Sequence, residues 1–227
     1  MLNSKGESFE NKNVVVFGSG NVAIYACQKV YQLGGKVVDM SDSNGYIYDE
    51  AGIKFEVIKQ LKEVERARIS EYVKRVPTAK YFEGCANIWS IKCDIALPCA
   101  TQNELDGDAA KTLIKNGVIA VAEGANMPST PEAVEAFHAA GVLFGSAKAA
   151  NTDGVATSGL EKSQNSQRLS WSFEEVDAKL KNIMDGIYKS AYEASVEYGC
   201  AGNLVADANI AGFLKVAEAM KAQGICY

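Results

Sequence analysis

The sequence has few of the residues that build metal sites and disulfide frameworks. Its 227 residues include one histidine, and none of its six cysteines lies in a Cys-x-x-Cys pair. With so few nitrogen ligands and no paired thiols, no zinc site or other metal site is expected. Scattered cysteines in a chain of this length instead predict free thiols in a reducing cytoplasm.

Long apolar runs and an excess of positive charge are also missing. No stretch is long enough to cross a bilayer, and the N-terminal MLNSKGESFENK lacks the apolar region of a signal peptide. The net charge of −5 disfavours attraction to nucleic acid. We therefore expect a cytoplasmic globular protein that binds neither nucleic acid nor membranes.

Short β-branched runs alternate with helical patterns along most of the chain. The runs predict strands at 13–17, 36–40, 80–83, 94–97, 118–122 and 142–144. The helical patterns cover 21–33, 55–76 (as one helix or two), 106–116, 130–140, a long helix after residue 172 and a final helix around 210–220. Repeated strand–helix units predict an α/β fold, in which a doubly wound, mostly parallel sheet carries helices on both faces.

A glycine-rich turn between the first strand and the first helix suggests a ligand. Residues 18–23, GSGNVA, fit the dinucleotide-binding pattern G-x-G-x-x-G/A. Gly18 permits the tight turn, Gly20 lets the backbone approach a pyrophosphate, and Ala23 lets the helix pack close to the strand. The N–H groups of the helix N-terminus then face the phosphates. The alternative is a turn without a ligand, which the strand and acidic residue that follow disfavour.

Two aspartates compete for the ribose of such a dinucleotide. Asp39 falls inside the second strand pattern, whereas Asp42 lies at its tip, 22 positions after Gly20 and close to the expected spacing of about 20. Asp42 is preferred, and a carboxylate there favours NAD because it repels a 2′-phosphate. Four nearby side chains would compensate for that repulsion by donating hydrogen bonds or positive charge, namely Ser41, Ser43, Arg66 and Arg68. A solvated helix face is an equal alternative for the two arginines.

Three loops rich in small and amide residues follow the later strands, at 98–103, 123–128 and 148–155. Ligands of doubly wound sheets bind beyond the carboxyl ends of the strands. Amide side chains both donate to and accept from a nicotinamide carboxamide. Capping of helices and turns is the alternative for each asparagine alone, but three at successive strand ends favour a cofactor groove.

The chain resembles the coenzyme-binding domain of the hexameric glutamate dehydrogenases. The matching strings are FGSGNVAIYA, SDSNGYIYDEAGI, DIALPCATQNELD, AVAEGANMPST, KAANTDGVATSGLEKSQNSQRLSW and NIAGFLKVAEAMKAQGI. They cover 13–225 in the family's order. The resemblance implies a lead-in at 1–12, a Rossmann-like domain at 13–205 and a C-terminal helix at 206–227, which packs on that domain or towards a substrate domain.

The resemblance also implies a role for each matching residue. The pyrophosphate would be held by Gly18, Ser19, Gly20, Asn21 and Val22. Beside the cofactor would lie Thr101 and Gln102, with Asn126 on the nicotinamide ribose and Asn151 on the carboxamide and the amino acid. The glutamate pocket would be lined by Val155 and Ser158. The string SDS at Ser41, Asp42 and Ser43 is similar to that of NADP-preferring members, so we expect NADP, with NAD as the alternative.

The reaction implied is reversible oxidative deamination of L-glutamate to 2-oxoglutarate and ammonia by a homohexamer. In the family, the catalytic lysine lies in an N-terminal domain, which we expect this chain to lack; no catalytic residue is assigned, and the chain alone should be inactive. Two departures from the family pattern are Asp153 and Asp207, where glycines are usual. The alternatives are a stand-alone dinucleotide-binding module without catalysis, or the same domain of another amino-acid dehydrogenase.

Overall fold

The computed structural model describes residues 1–200 and 202–224. The chain divides into two compact units, Met1–Phe144 and Gly145–Tyr227. This division groups the final helix with the helices before it, so the boundaries expected at residues 13 and 206 remain predictions. None of the five described cysteines forms a disulfide, and Cys226 lies outside the described residues.

Seven strands form one sheet, which lies in the first unit except for Gly145 at the end of β7; their order is β4-β3-β2-β1-β5-β6-β7. They are β1 Asn13–Phe17, β2 Lys36–Asp42, β3 Gly45–Tyr48, β4 Lys80–Glu83, β5 Ile95–Pro98, β6 Ala120–Ala122 and β7 Leu143–Gly145. β1 pairs in parallel with β2 and β5, and β5 pairs in parallel with β6. The mostly parallel doubly wound sheet is therefore confirmed.

Strands β3 and β4 form an antiparallel edge, and β3 has no counterpart among the predicted strands. β3 pairs with both β2 and β4 in antiparallel register. It begins at Gly45, where an added Cβ would lie 2.1 Å from the carbonyl oxygen of Phe82. Only glycine permits this close approach of two backbones. The four-residue GYIY run is too short to show the alternation of apolar and polar residues that predicts a strand.

Eight α-helices lie in the described part of the chain. They are α1 Asn21–Gln32, α2 Phe55–Lys59, α3 Gly107–Lys115, α4 Pro131–Ala139, α5 Ala147–Ala150, α6 Asp153–Gln167, α7 Phe173–Glu197 and α8 Leu204–Gln223. Side-chain caps begin two of them: Thr130 accepts the N–H of Ala133, and Ser172 exchanges hydrogen bonds with Glu175. Within the described ranges, no helix is long and apolar enough to cross a membrane.

Two predicted segments were wrong. The helix expected at 55–76 is instead α2, a π-helical turn at Gln60–Val64 and a 3-10 segment at Ile69–Lys74. Arg66, with φ of +52°, ends the helical path, and Asp42 binds the N–H of Ile69 in place of a helical partner. The loop expected at 148–155 is mostly helical, because α5 and α6 occupy it.

The sheet and its helices enclose the core of the first unit. The central strand β1 buries Val14, Val15 and Val16 completely, as expected for a parallel strand covered on both faces. Towards β7, Phe137 of α4 stacks on Phe144 with ring centroids 5.7 Å apart. In the second unit, α7 contacts both α6 and α8.

Candidate dinucleotide-binding site

The glycine-rich turn follows β1 at the point where the strand order reverses. β2 lies on one side of β1 and β5 on the other, and the crevice of a doubly wound sheet opens at this position. Gly18 has φ of +113°, and an added Cβ would lie 3.1 Å from the Cβ of Ala100. Both the backbone and the neighbouring loop therefore require glycine here.

Ser41 of β2 fixes the shape of this turn. Its side chain is fully buried, its Oγ accepts the N–H of Gly18 at 2.8 Å, and its own N–H donates to the Gly18 carbonyl at 3.3 Å. Because the N–H of Gly18 already donates to Ser41, it is not available to a ligand. Gly18 instead allows the backbone to adopt the shape of the turn. The hydroxyl of Ser41 lies beneath the turn and does not face solvent.

The N-terminus of helix α1 is open to solvent at Gly20. Its N-cap is Gly20, and no side chain caps its first turn, so the first N–H groups are available to an anion. A Cβ added at Gly20 would meet no atom within 4 Å. Asn21 and Val22 are exposed, whereas Ser19 is buried. The arrangement has the donors and the room that a pyrophosphate needs.

Asp42 at the end of β2 is used by the protein's own backbone. Its Oδ1 accepts the N–H of Asn44 at 2.9 Å and its Oδ2 accepts that of Ile69 at 3.0 Å, and only 7% of its side chain is exposed. Ser43 is exposed beside it and accepts a hydrogen bond from Arg68 at 2.9 Å. The Arg68 side chain is 58% exposed, so this end of β2 presents a guanidinium and a hydroxyl to solvent.

The loops after β5 and β6 are joined to each other and lie beside the turn. The N–H of Asn103 donates to the carbonyl of Met127, and both residues have left-handed φ angles. A Cβ added at Gly124 would lie 2.6 Å from Cys99 Sγ and 3.3 Å from Val22. The predicted cofactor residues of these loops are all exposed, namely Thr101, Gln102 and Asn126.

Glu104 organises the β5 loop, and the sequence analysis missed it. Its carboxylate accepts the N–H groups of Ala100 and Thr101 and the hydroxyl of Thr101. Burial and the nearby charge of Glu123 raise the pKa of Glu104, against the lowering effect of these donors. The spacing T-x-x-E, typical of a capping box, was the signal that would have revealed it.

The remaining predicted site residues belong to the second unit. Asn151 follows α5 and is half-buried, and its N–H donates to the carbonyl of Ala147. Val155 and Ser158 are exposed on α6, three positions apart and therefore on one face of that helix. Asp153 is exposed in the first turn of α6, where a carboxylate suits the helix dipole. Asp207 is buried in the first turn of α8.

The described residues form a binding arrangement with no metal cluster. No group of three or more histidine, cysteine, aspartate or glutamate side chains within 1–200 and 202–224 is placed to hold a metal ion. The only histidine, His138, lies on α4 against Phe144, with ring centroids 6.2 Å apart. What the first unit offers is a turn, a helix N-terminus and exposed polar side chains, which can bind and orient an anionic ligand.

Known proteins with this architecture identify the family. The family model for the glutamate/leucine/phenylalanine/valine dehydrogenases matches residues 1–224. The chain belongs to this family. Glutamate dehydrogenase of Bacteroides thetaiotaomicron is 56% identical over 99% of the chain and 51% of the relative. NADP-specific glutamate dehydrogenase of Escherichia coli is 53% identical over 99% of the chain and 50% of the relative.

Solved structures of the family agree with this assignment. Plasmodium falciparum glutamate dehydrogenase superposes with a TM-score of 0.95 at 48% identity, covering 100% of this chain and 49% of that one. The chain thus spans about half the length of the family members that it matches.

Proposed function

We propose that this chain is the coenzyme-binding half of a glutamate dehydrogenase and that its glycine turn binds the pyrophosphate of NADP. The observation that carries the proposal is the open, uncapped N-terminus of α1 at Gly20, beside a turn whose other glycine is locked by its neighbours. The N-terminal N–H groups of a helix stabilise phosphate oxygens at such a position.

Substituting Gly20→Ala tests this proposal, because the added Cβ meets no protein atom and projects into the space for the ligand. Titration of the purified chain with NADPH, followed by nicotinamide fluorescence, should give saturable binding that the substitution weakens by about tenfold or more. Gly186→Ala, in an equally open position on α7, is the matched control. Absence of binding by the unsubstituted chain would contradict the proposal.

The end of β2 supports NADP over NAD. The carboxylate of Asp42 already accepts two backbone N–H groups, so it has less capacity for a ribose 2′-hydroxyl. Arg68 and Ser43 are exposed beside it, with the guanidinium and hydroxyl groups that bind a 2′-phosphate. The Escherichia coli relative is named NADP-specific, which agrees with this reading.

Arg68→Ala tests the cofactor preference. It should weaken NADPH binding by about tenfold and leave NADH binding nearly unchanged, since only NADPH carries the extra phosphate. Arg66→Asn is the comparison, because asparagine tolerates the left-handed φ of +52° while removing the other candidate charge; a smaller loss of NADPH binding than for Arg68→Ala would assign the phosphate contact to Arg68. Equal losses for both coenzymes after Arg68→Ala would assign the arginine a structural role.

The reaction proposed for the whole protein is reversible oxidative deamination of L-glutamate to 2-oxoglutarate and ammonia. NADP, when bound, supplies the acceptor of the hydride. In this proposal Asn151 faces the nicotinamide and the amino acid, while Val155 and Ser158 line the glutamate pocket. The lysine and carboxylate that move protons would come from the other half of the protein, so glutamate-dependent reduction of NADP by this chain alone should be undetectable.

The proposed assembly and location follow from the same family. We propose a homohexamer for the complete enzyme, which analytical ultracentrifugation would test. A cytoplasmic location fits the absence of disulfides among the five described cysteines.

A further inference from the structure

The β5 loop faces the glycine turn but has few anchors of its own. The run from Ala100 to Asn103 is exposed throughout, and Asn103 adopts a left-handed φ of +54°. Asparagine tolerates that region, so the contacts at the two ends of the run must set its orientation. The hydrogen bond from Asn103 to Met127 fixes only the far end of the run.

Glu104 holds the near end. Its Oε1 accepts the N–H of Ala100 at 3.2 Å, and its Oε2 accepts both the N–H and the hydroxyl of Thr101. One carboxylate thus collects three donors from two consecutive residues. A bidentate group of this kind fixes the orientation of two peptide planes at once.

Glu104 is itself tied to the core beneath the glycine turn. Its carbonyl accepts the indole N–H of Trp89 at 3.0 Å, and Trp89 stacks on Phe17 with ring centroids 5.3 Å apart. Phe17 is the residue before Gly18. The carboxylate therefore sets the loop against the same buried layer that carries the pyrophosphate turn.

We propose that Glu104 is the positioning residue for the coenzyme, holding Thr101 and Gln102 in the conformation that faces the bound dinucleotide. The inference rests on the proposed function and extends it to a residue outside the predicted contacts. The charge of Glu104 argues against a direct role, because a carboxylate beside an anionic ligand disfavours binding. Its benefit must come through the loop.

Charge and positioning predict opposite effects of removing the Glu104 carboxylate on the affinity for NADPH. If charge dominated, Glu104→Ala would tighten NADPH binding. Positioning predicts a loss of about tenfold, while Glu104→Gln, which keeps an acceptor oxygen, should recover most of the affinity, to within about threefold. Glu135→Ala, on the exposed face of α4, is the control for removing one acidic side chain and should bind as the unsubstituted chain does.

Hydrogen exchange measures the loop without any ligand. In Glu104→Ala the Thr101 amide should exchange at least about tenfold faster, whereas the Leu105 amide, which donates to Pro128, should keep its protection. Unchanged Thr101 exchange, or unchanged or tighter NADPH binding by Glu104→Ala, would overturn the inference. If the unsubstituted chain binds no NADPH, the proposed function fails, and exchange still decides whether Glu104 holds the loop. Should Glu104→Ala not fold, the same exchange measurement on Glu104→Gln, with a smaller acceleration expected, decides it.

Discussion

The two units of the chain treat their apolar side chains in opposite ways. The first buries whole strands and the inner faces of its helices, from Val14 on β1 to Phe137 on α4. In the described part of the second, only Ala191 and Ala194 are buried apolar residues. Its other large apolar side chains are half-buried or exposed, and the exposed ones are Val155, Leu169, Phe173, Tyr192, Val196, Tyr198, Phe213, Val216 and Met220.

The helices of the second unit are stabilised mainly by local interactions. α7 has a complete capping box at Ser172 and Glu175, and 25 residues of length. On α8, Phe213, Val216 and Met220 are spaced as one exposed apolar face. A contiguous exposed apolar face of this kind is typical of an interaction surface.

Truncating a phenylalanine to alanine should change the free energy of unfolding very differently in the two units. Phe137→Ala removes a fully buried ring that stacks on Phe144 and should cost about 3–5 kcal/mol of unfolding free energy. Phe213→Ala removes a ring that is 70% exposed and should cost less than about 0.5 kcal/mol. Urea denaturation followed by circular dichroism compares the two. A loss above about 1 kcal/mol for Phe213→Ala would mean that α8 is already covered in solution.

The contrast also explains which parts of the fold were predictable from sequence. In the first unit, burial on both faces gives β1 a continuous apolar run, and turn glycines and caps mark the ends of helices. The segment after Phe55 escaped prediction because its conformation depends on contacts distant in sequence, such as that between Asp42 and Ile69. In the second unit, α6 shows little apolar periodicity and buries no residue. The sequence therefore contains no pattern from which this helix could be predicted.

The site divides in a similar way. The turn at Gly18 and Gly20 follows from a local pattern that its backbone geometry requires. Arg68 and Ser43 are in contact only because the 3-10 segment returns to the end of β2. Their positions in the sequence do not indicate this contact. The preference for Asp42 over Asp39 rests on position along the strand, which does not reveal that the Asp39 side chain is fully buried.

Asp39 is one of three acidic side chains buried in the first unit, with Asp49 and Glu123. The side chain of Asp39 is fully buried, and the backbone of Val16 is the polar group that interacts with its carboxylate. Burial raises the pKa of Asp39 well above its ordinary value. The unfolded chain therefore releases this proton at lower pH than the folded one, and Asp39 makes the protein less stable as pH rises from about 4 to the folded pKa.

Asp39→Asn should remove that pH dependence. Over the interval, the difference in unfolding free energy between Asp39→Asn and the unsubstituted chain should grow by about 1.4 kcal/mol per pH unit in favour of the variant. Near pH 4 the two should differ little. Thermal melts from pH 4 to pH 8 measure this difference. A constant offset across the range would show that Asp39 is ionised in the folded protein at all of these pH values.

Two helical glycines of the second unit allow a test with small expected changes in stability. Gly186 on α7 and Gly212 on α8 are both exposed, and a Cβ added at either meets no atom within 4 Å. Alanine at each should stabilise the chain by about 0.5–1 kcal/mol, since it lowers the conformational entropy of the unfolded state and favours the helix. Gly212 lies one turn before Val216 on the apolar side of α8, whereas Gly186 lies on another helix. If the isolated chain leaves α8 uncovered, thermal melts will show equal gains for both. A gain for Gly186→Ala beside a loss for Gly212→Ala would instead mean that a surface already packs against α8, where only glycine fits.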